Sequence, residues 1–285
     1  MAVKISWKRL TKRTPIPIIQ LILVAFITYM ILYPLIWMFA YSIRSNTAIY
    51  EIPPKLIPNK VVFENYATLF IKAPYGLYFR NSIFVAIGAT FFSVIFASLG
   101  GYGLSRYHFL GKKGFTTFLI FSQMMPASVI LIPLFLLWYQ LGIFDTLFGL
   151  IIIYTVITLA FSTLLFRSFF NQIPRELDEA ALIDGASKLQ TFFKVILPLA
   201  GSAIVAVAIY TFTVVWEEFL LSITLTLSAE THTLPYGLMV YQGIYQTDWT
   251  GLMAASFTIS SPAIIVFLIL NRFFVKGMTA GAVKG

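Results

Sequence analysis

The chain has 285 residues, of which 59% are apolar and only 11% charged, whereas a soluble domain is typically about a quarter charged. So little polar surface cannot cover a water-exposed globule, which excludes an ordinary soluble domain and points to a lipid-embedded protein. The net charge of +9 would suggest nucleic acid in a soluble protein, but here the cations are segregated along the chain, and the absence of cysteine excludes disulfides and thiolate metal sites.

Lys4, Lys8, Arg9, Lys12 and Arg13 precede an apolar run, Ile18–Ala40, too long for the core of a cleavable signal and ending in bulky residues. It is predicted to be an uncleaved first spanning helix (18–40) after a cytoplasmic segment, 1–17. A helix needs roughly 20 apolar residues to cross the hydrocarbon core, and five further segments qualify or nearly so. They are Ser82–Leu104, Phe115–Leu137, Leu147–Phe166, Leu199–Leu221 and Met253–Leu270. Together they predict an all-α membrane protein of six transmembrane helices, with residues 82–273 as its core and both termini on one side. Fifteen of the twenty Lys and Arg fall on that side and five on the other, so the positive-inside rule predicts cytoplasmic termini.

An external loop, 41–81, carries Pro53, Pro54, Pro58 and Pro74 and is predicted to be irregular with short helical pieces. Trp37, Trp138 and Trp249 fall at predicted outer ends, where an amphipathic ring is stable. Pro126, Pro133 and Pro262 lie inside spans and are read either as kinks between packed helices or as marks of a pathway. Gln123 sharpens the second reading, because a mid-membrane amide must find a partner or face water. Gln123, Trp216 and Glu217 are the candidate pathway-lining residues, although Glu217 and Glu218 also suit interfacial caps. His232 is read as an ordinary outer-loop residue.

Between the fourth and fifth spans, 167–198 is predicted to form two short helices with a sharp bend. Pro174 suits a first helical turn. Glu176, Asp178 and Glu179 follow, where the positive end of the helix dipole favours carboxylates. Gly185 is placed to end the helix in a left-handed conformation. Leu177, Ala180, Ala181 and Asp184 occur at i, i+3, i+4 and i+7, one narrow face on which two alanines permit close approach. Periodicity alone leaves an amphipathic connector on the membrane surface equally open.

The order of residues closes that choice. Glu179-Ala180-Ala181, then Gly185, then Val195-Ile-Leu-Pro198, with Asp184-Gly185-Ala186 and Phe192, resembles the "EAA" signature of ABC-importer permeases. Gly101-Tyr-Gly-Leu-Ser-Arg106, Trp216-Glu-Glu-Phe219, Thr233-Leu-Pro-Tyr-Gly-Leu238 and the Gly277–Gly285 ending extend the resemblance over nearly the whole chain, to the smaller membrane subunit of maltose-type carbohydrate importers. Glu217 departs from that subunit, which commonly has Asn there. The resemblance implies a type I (MetI-like) importer permease whose coupling helix presents Glu179, Ala180, Ala181, Asp184, Gly185 and Leu177 to an ATPase, with Phe192 and Pro198 in the same segment. It also implies an ATPase contact by the tail, 274–285, through Gly277, Thr279, Gly281 and Lys284.

No G-x-x-x-x-G-K-[ST] occurs, so ATP and Mg are expected on partner ATP-binding cassette subunits, not here. The other implied partners are a sister permease, an extracytoplasmic solute-binding protein and a sugar. A polyol or glycerol-phosphate-type cargo is the alternative within the class. An ion-coupled secondary carrier or a membrane-bound enzyme would require intramembrane ionisable groups or clustered His, Asp and Glu, which the sequence does not offer.

Overall fold

The structure, a computed structural model, describes residues 18–282 apart from 54, 244 and 245, with side chains from 18 to 270 except that of 127. The predicted N-terminal segment 1–17 and Lys284 lie outside the described residues.

Helix α1 (Ile18–Ser42) begins the described chain and packs against the last helix, α12 (Trp249–Ala282). Its Ile, Leu and Val side chains stand exposed from Ile18 to Val24, as lipid-facing residues must. The segment that follows, predicted to be an external loop, holds a 3-10 turn over Asn46–Tyr50 and a short helix, α2 (Glu64–Lys72). Helix α3 (Tyr75–Arg106) is 32 residues long and begins seven residues before the predicted span, with Pro74 as its N-cap. Helices α4 (Lys112–Ser122), α5 (Ala127–Gln140) and α6 (Leu147–Phe170) follow. Two pieces, α7 (Glu176–Ile183) and α8 (Lys188–Thr191), form the loop between α6 and the next span. A π-helical stretch, Phe192–Ile196, and α9 (Leu197–Leu199) then lead into α10 (Gly201–Glu217). The short α11 (Leu220–Leu225) and a 3-10 segment, Leu234–Tyr241, cap the face predicted to be external before α12. No β-strand occurs among the described residues, only an isolated bridge between Gln242 and Thr247.

The core is the seam between α3 and α6, the most extensive helix contact in the described chain. Ala86, Ala89, Ser93 and Ala97 are completely buried along α3. A Cβ added at Gly101 would stand 2.6 Å from the Phe166 Cβ and 2.9 Å from the Arg167 backbone nitrogen. Small residues let two backbones approach closely where lipid supplies no hydrophobic drive. Ser93 and Thr158 share a buried hydroxyl–hydroxyl bond of 2.8 Å across the seam.

Among the described residues, four helices are each long and apolar enough to cross a membrane: α1, α3, α6 and α12. The predicted fifth span, Leu199–Leu221, corresponds to α10 and the start of α11, and the chain enters it through a 78° bend between Lys188–Leu199 and Gly201–Glu217. The predicted third span, Phe115–Leu137, is not one helix but the pair α4 and α5, interrupted over Gln123–Pro126. Pro126 is the cause, since it has no N–H to continue the ladder and forces its predecessor away from helical angles. Pro34, Pro133 and Pro262 lie inside continuous helices, so of these prolines only Pro126 coincides with a break. Trp138 is no interfacial anchor: it is buried, and its indole N–H donates to the Gly149 carbonyl at 3.1 Å, closing the α5–α6 hairpin.

Candidate functional site

Helix α7 follows α6, and its backbone packs chiefly on α8 and the π-helical stretch. Arg175 is its N-cap, and Pro174 lies just outside rather than in the first turn. At its other end Gly185 adopts φ +84°. The Gly185 N–H donates to the Leu182 carbonyl at 3.1 Å and the Ala186 N–H to the Ala181 carbonyl at 3.0 Å, the paired bonds of a Schellman stop. A capping box restarts the chain at once: Ser187 N–H donates to Gln190 Oε1 at 2.8 Å and Gln190 N–H to Ser187 Oγ at 3.3 Å. The bend between α7 and α8 is therefore fixed by hydrogen bonds at both ends.

The exposed stripe of α7 is rotated by one residue from the predicted face. Glu176, Glu179, Ala180 and Ile183 point away from the protein at i, i+3, i+4 and i+7, with Ile183 85% exposed. Ala181 is buried against the chain itself, so its small side chain serves internal packing. Leu177 and Asp184 stand exposed on the flanks. Ile183 and Leu189 are large apolar groups left exposed on α7 and α8.

Phe192 is fully buried with Tyr102, Phe166, Phe170 and Ile196, its ring 5.0 Å from that of Tyr102. Pro198 is exposed in α9, at the elbow leading into α10. Under these rings lies a polar set that the sequence reading did not assign. Tyr102 Oη donates to Asp178 Oδ1 at 2.6 Å, and Arg106 Nε pairs with Asp178 Oδ2 at 2.9 Å in ion-pair rather than hydrogen-bond geometry. Arg106 also donates to the carbonyls of Phe170 at 3.0 Å and Ile173 at 2.9 Å. Arg175 donates to the Ser105 carbonyl at 3.2 Å. The signal available beforehand was Arg106 itself, a cation closing a long span beside the acidic first turn of the next extramembrane helix.

Of the candidate pathway residues, Gln123 caps α4 and donates to the Leu119 carbonyl at 3.2 Å, which satisfies one of its amide hydrogens. Trp216 is buried among helices, its indole N–H donating to Ile259 carbonyl oxygen at 2.8 Å; it belongs to the packing between α10 and α12, not to an open face. Glu217 is exposed at the end of α10, whereas Glu218 caps α11 by accepting from Leu221 N–H at 2.9 Å and accepts from Tyr154 Oη at 2.8 Å. The backbones of Gly277, Thr279 and Gly281 continue α12, and Lys284 is undescribed.

The opposite face is tied down by carboxylates. Asp145 accepts from Leu227 N–H at 2.8 Å and Ser228 N–H at 3.1 Å, as well as from the Thr231 hydroxyl. Burial pushes this carboxyl up, but those donors outweigh it and hold it down at about 2. Asp248 pairs with Lys72 at 2.5 Å and accepts from Asn46 at 2.9 Å. His232 is buried, stacked on Tyr236 and bonded to Thr226 Oγ1 at 2.9 Å, and burial lowers its pKa. Tyr75 Oη donates to the Gly237 carbonyl at 2.6 Å, and Asn81 Nδ2 to those of Glu230 and His232 at 2.7 and 2.9 Å. The outer cap is thereby fastened to the start of α3.

A bundle of long apolar helices with a short, acid-led helix between two of them defines a polytopic membrane protein. Residues 89–280 match the family described as binding-protein-dependent transport system inner membrane component, and the chain belongs to that family. It is 32% identical over 255 residues to the diacetylchitobiose uptake system permease protein DasC of Streptomyces coelicolor, an alignment covering 90% of this chain and 92% of that one. It is 34% identical over 257 residues to the trehalose/maltose transport system permease protein MalG of Thermococcus litoralis, covering 89% and 92%. Its fold matches a chain of a bacterial ABC transporter involved in the import of the acidic polysaccharide alginate, with a TM-score of 0.76, 26% identity and coverage of 90% and 95%.

Proposed function

We propose that this permease forms, with a sister permease, the pathway of an ATP-driven importer for a sugar or oligosaccharide. Two separate ATP-binding cassette subunits carry the ATP and Mg, and an extracytoplasmic binding protein delivers the solute across a prokaryotic inner membrane. The observation that carries this reading is α7: a short helix outside the spans, stopped rigidly at Gly185 and exposing Glu179, Ala180 and Ile183. A helix so placed suits a groove on a partner, with Glu179 meeting a basic group. The relatives named for diacetylchitobiose and for trehalose or maltose support a carbohydrate cargo.

The chain has no phosphate-binding loop, so energy reaches it through contact. Closure of the ATPase pair then switches the helices between two discrete packings, because packed interiors do not deform smoothly. The test is to purify the complex from its host membrane, identify the chains that accompany this one, and measure ATP hydrolysis with a panel of solute-loaded binding proteins. Sugar-stimulated hydrolysis by a co-purifying ATPase is expected. Uptake by this chain in vesicles holding no ATPase would end the reading.

A further inference from the structure

Three acids open α7, but they do not do the same work. Glu176 and Glu179 face outward, whereas Asp178 turns inward, its side chain only 13% exposed and that of its partner Arg106 only 7%. A helix dipole needs no such burial, since an exposed carboxylate in the first turn satisfies it equally well. Taking both charges out of water is costly, and an apolar contact of similar size would hold the helix at least as firmly. What the ion pair adds is direction. Tyr102 and Arg106 end α3, Phe170 and Ile173 end α6 and begin the loop, and Asp178 lies on α7. One guanidinium touches all three elements within 3.0 Å, at Asp178, Phe170 and Ile173. Ser105 adds a second tie by donating to Asn171 Oδ1 at 2.7 Å, while its carbonyl receives Arg175.

The backbone contacts show why this matters. Helix α7 packs on α8 and the stretch Phe192–Ile196, which continues into α10 and rests on α3 and α6 through apolar contacts of Phe192 with Tyr102 and Phe170. Apolar rings fix no direction between the elements they touch, whereas the ion pair and the hydrogen bonds of Arg106 and Tyr102 hold α7 to α3 and α6 in one orientation. Resting on the function proposed above, we infer that Arg106, Tyr102 and Asp178 form a positioning clamp that makes α7, α3 and α6 move as one body. The clamp carries the ATPase's displacement into the membrane core. Asp178 is thus internal transmission, and Glu179, one residue on, is left to face the partner.

The test uses the full complex in vesicles and reads solute imported per ATP hydrolysed, a ratio that loss of folded protein alone does not change. Arg106→Gln and Asp178→Asn should assemble and hydrolyse ATP while the ratio falls by roughly 2- to 30-fold, the range found for residues that couple distant sites. Tyr102→Phe should give the smallest fall, because its ring still packs on Phe170 and Phe192. This chain has no cysteine of its own, so a Tyr102→Cys/Asp178→Cys pair can be bridged by a short thiol-reactive cross-linker. The bridge should restore the ratio lost in the unbridged pair, and it decides the case if a single variant fails to assemble. Single variants with a wild-type ratio, or a bridged pair no better than the unbridged one, overturn the clamp alone. A wild-type chain that assembles with no ATPase overturns the clamp and the proposed function together.

Discussion

Gly101 shows how little room the central seam allows. Its missing Cβ is the space occupied by the Phe166 Cβ and the Arg167 backbone, and neither of those atoms can swing aside as the tip of a long side chain would. Gly101→Val should therefore force α3 and α6 apart and cost about 1–3 kcal/mol, the usual range for an overpacked core. A thermal melt of the detergent-solubilised protein measures it, and an unchanged melting temperature would show that the seam is looser than described. Asp145 makes a different kind of prediction. Its carboxyl is held at about 2, below the usual carboxylate range, so its ionised form favours the folded outer face. A depressed folded-state pKa contributes stability that is complete above the unfolded value, about 4, and lost as pH falls toward 2. Hydrogen exchange at Leu227 and Ser228 should stay slow down to about pH 4 and quicken below it. Asp145→Asn should exchange faster at neutral pH, and the same rates in both proteins would show that those amides are held by something else.

At the scale of the element, α7 separates two alanines that the sequence leaves equivalent. Ala180 lies on the outward stripe and Ala181 against the chain's own packing. Ala180→Trp should block ATPase docking and reduce uptake by more than about tenfold, as expected when a contact centre is filled, while the melting temperature and solute capture by the binding protein remain unchanged. Ala181→Trp should instead lower the melting temperature. The reverse pattern in uptake and melting would mean that the stripe has been assigned to the wrong face. A one-residue error in the predicted stripe has a physical origin: each step along a helix turns about 100°, and alanine is apolar enough for either side. The stop at Gly185 was legible because only one common residue adopts positive φ without strain. The capping box at Ser187 and Gln190 was equally legible by its spacing but went unread. The inward turn of Asp178 could not be read from α7, because Tyr102 and Arg106 lie more than 70 residues earlier. The break at Pro126 was foreseeable as a kink, but nothing local distinguishes it from Pro133, which its helix tolerates.

At the scale of the whole molecule, composition was decisive. Apolar runs of spanning length located α1, α3 and α6 to within about two turns and the start of α12 to within about one, because lipid requires a minimum apolar length of every crossing. Helix α12, however, runs on to Ala282, well past its apolar run. The start of the fifth span just after Pro198 was legible, but the 78° elbow there was not, since residue patterning carries no angle between two helices. The proposed orientation is testable because the chain lacks cysteine. Ser228→Cys in the outer cap and Asp184→Cys beside Gly185 should react with a membrane-impermeant thiol reagent from opposite sides, the first in intact cells and the second only in inverted vesicles. Both reacting from one side would require the cytoplasmic and external faces to be redrawn.

Helix α3 is pinned at both tips, to the outer cap through Tyr75 and Asn81 and to α7 through Tyr102 and Arg106. Its 32 residues make a beam about 48 Å long. Pivoted at mid-depth, such a beam behaves as a seesaw: a tilt of about 10° carries its two tips in opposite directions by roughly 4 Å each. Whatever nudges the inner tip must therefore tug the outer lid the other way at the same instant, with no signal relayed through loops.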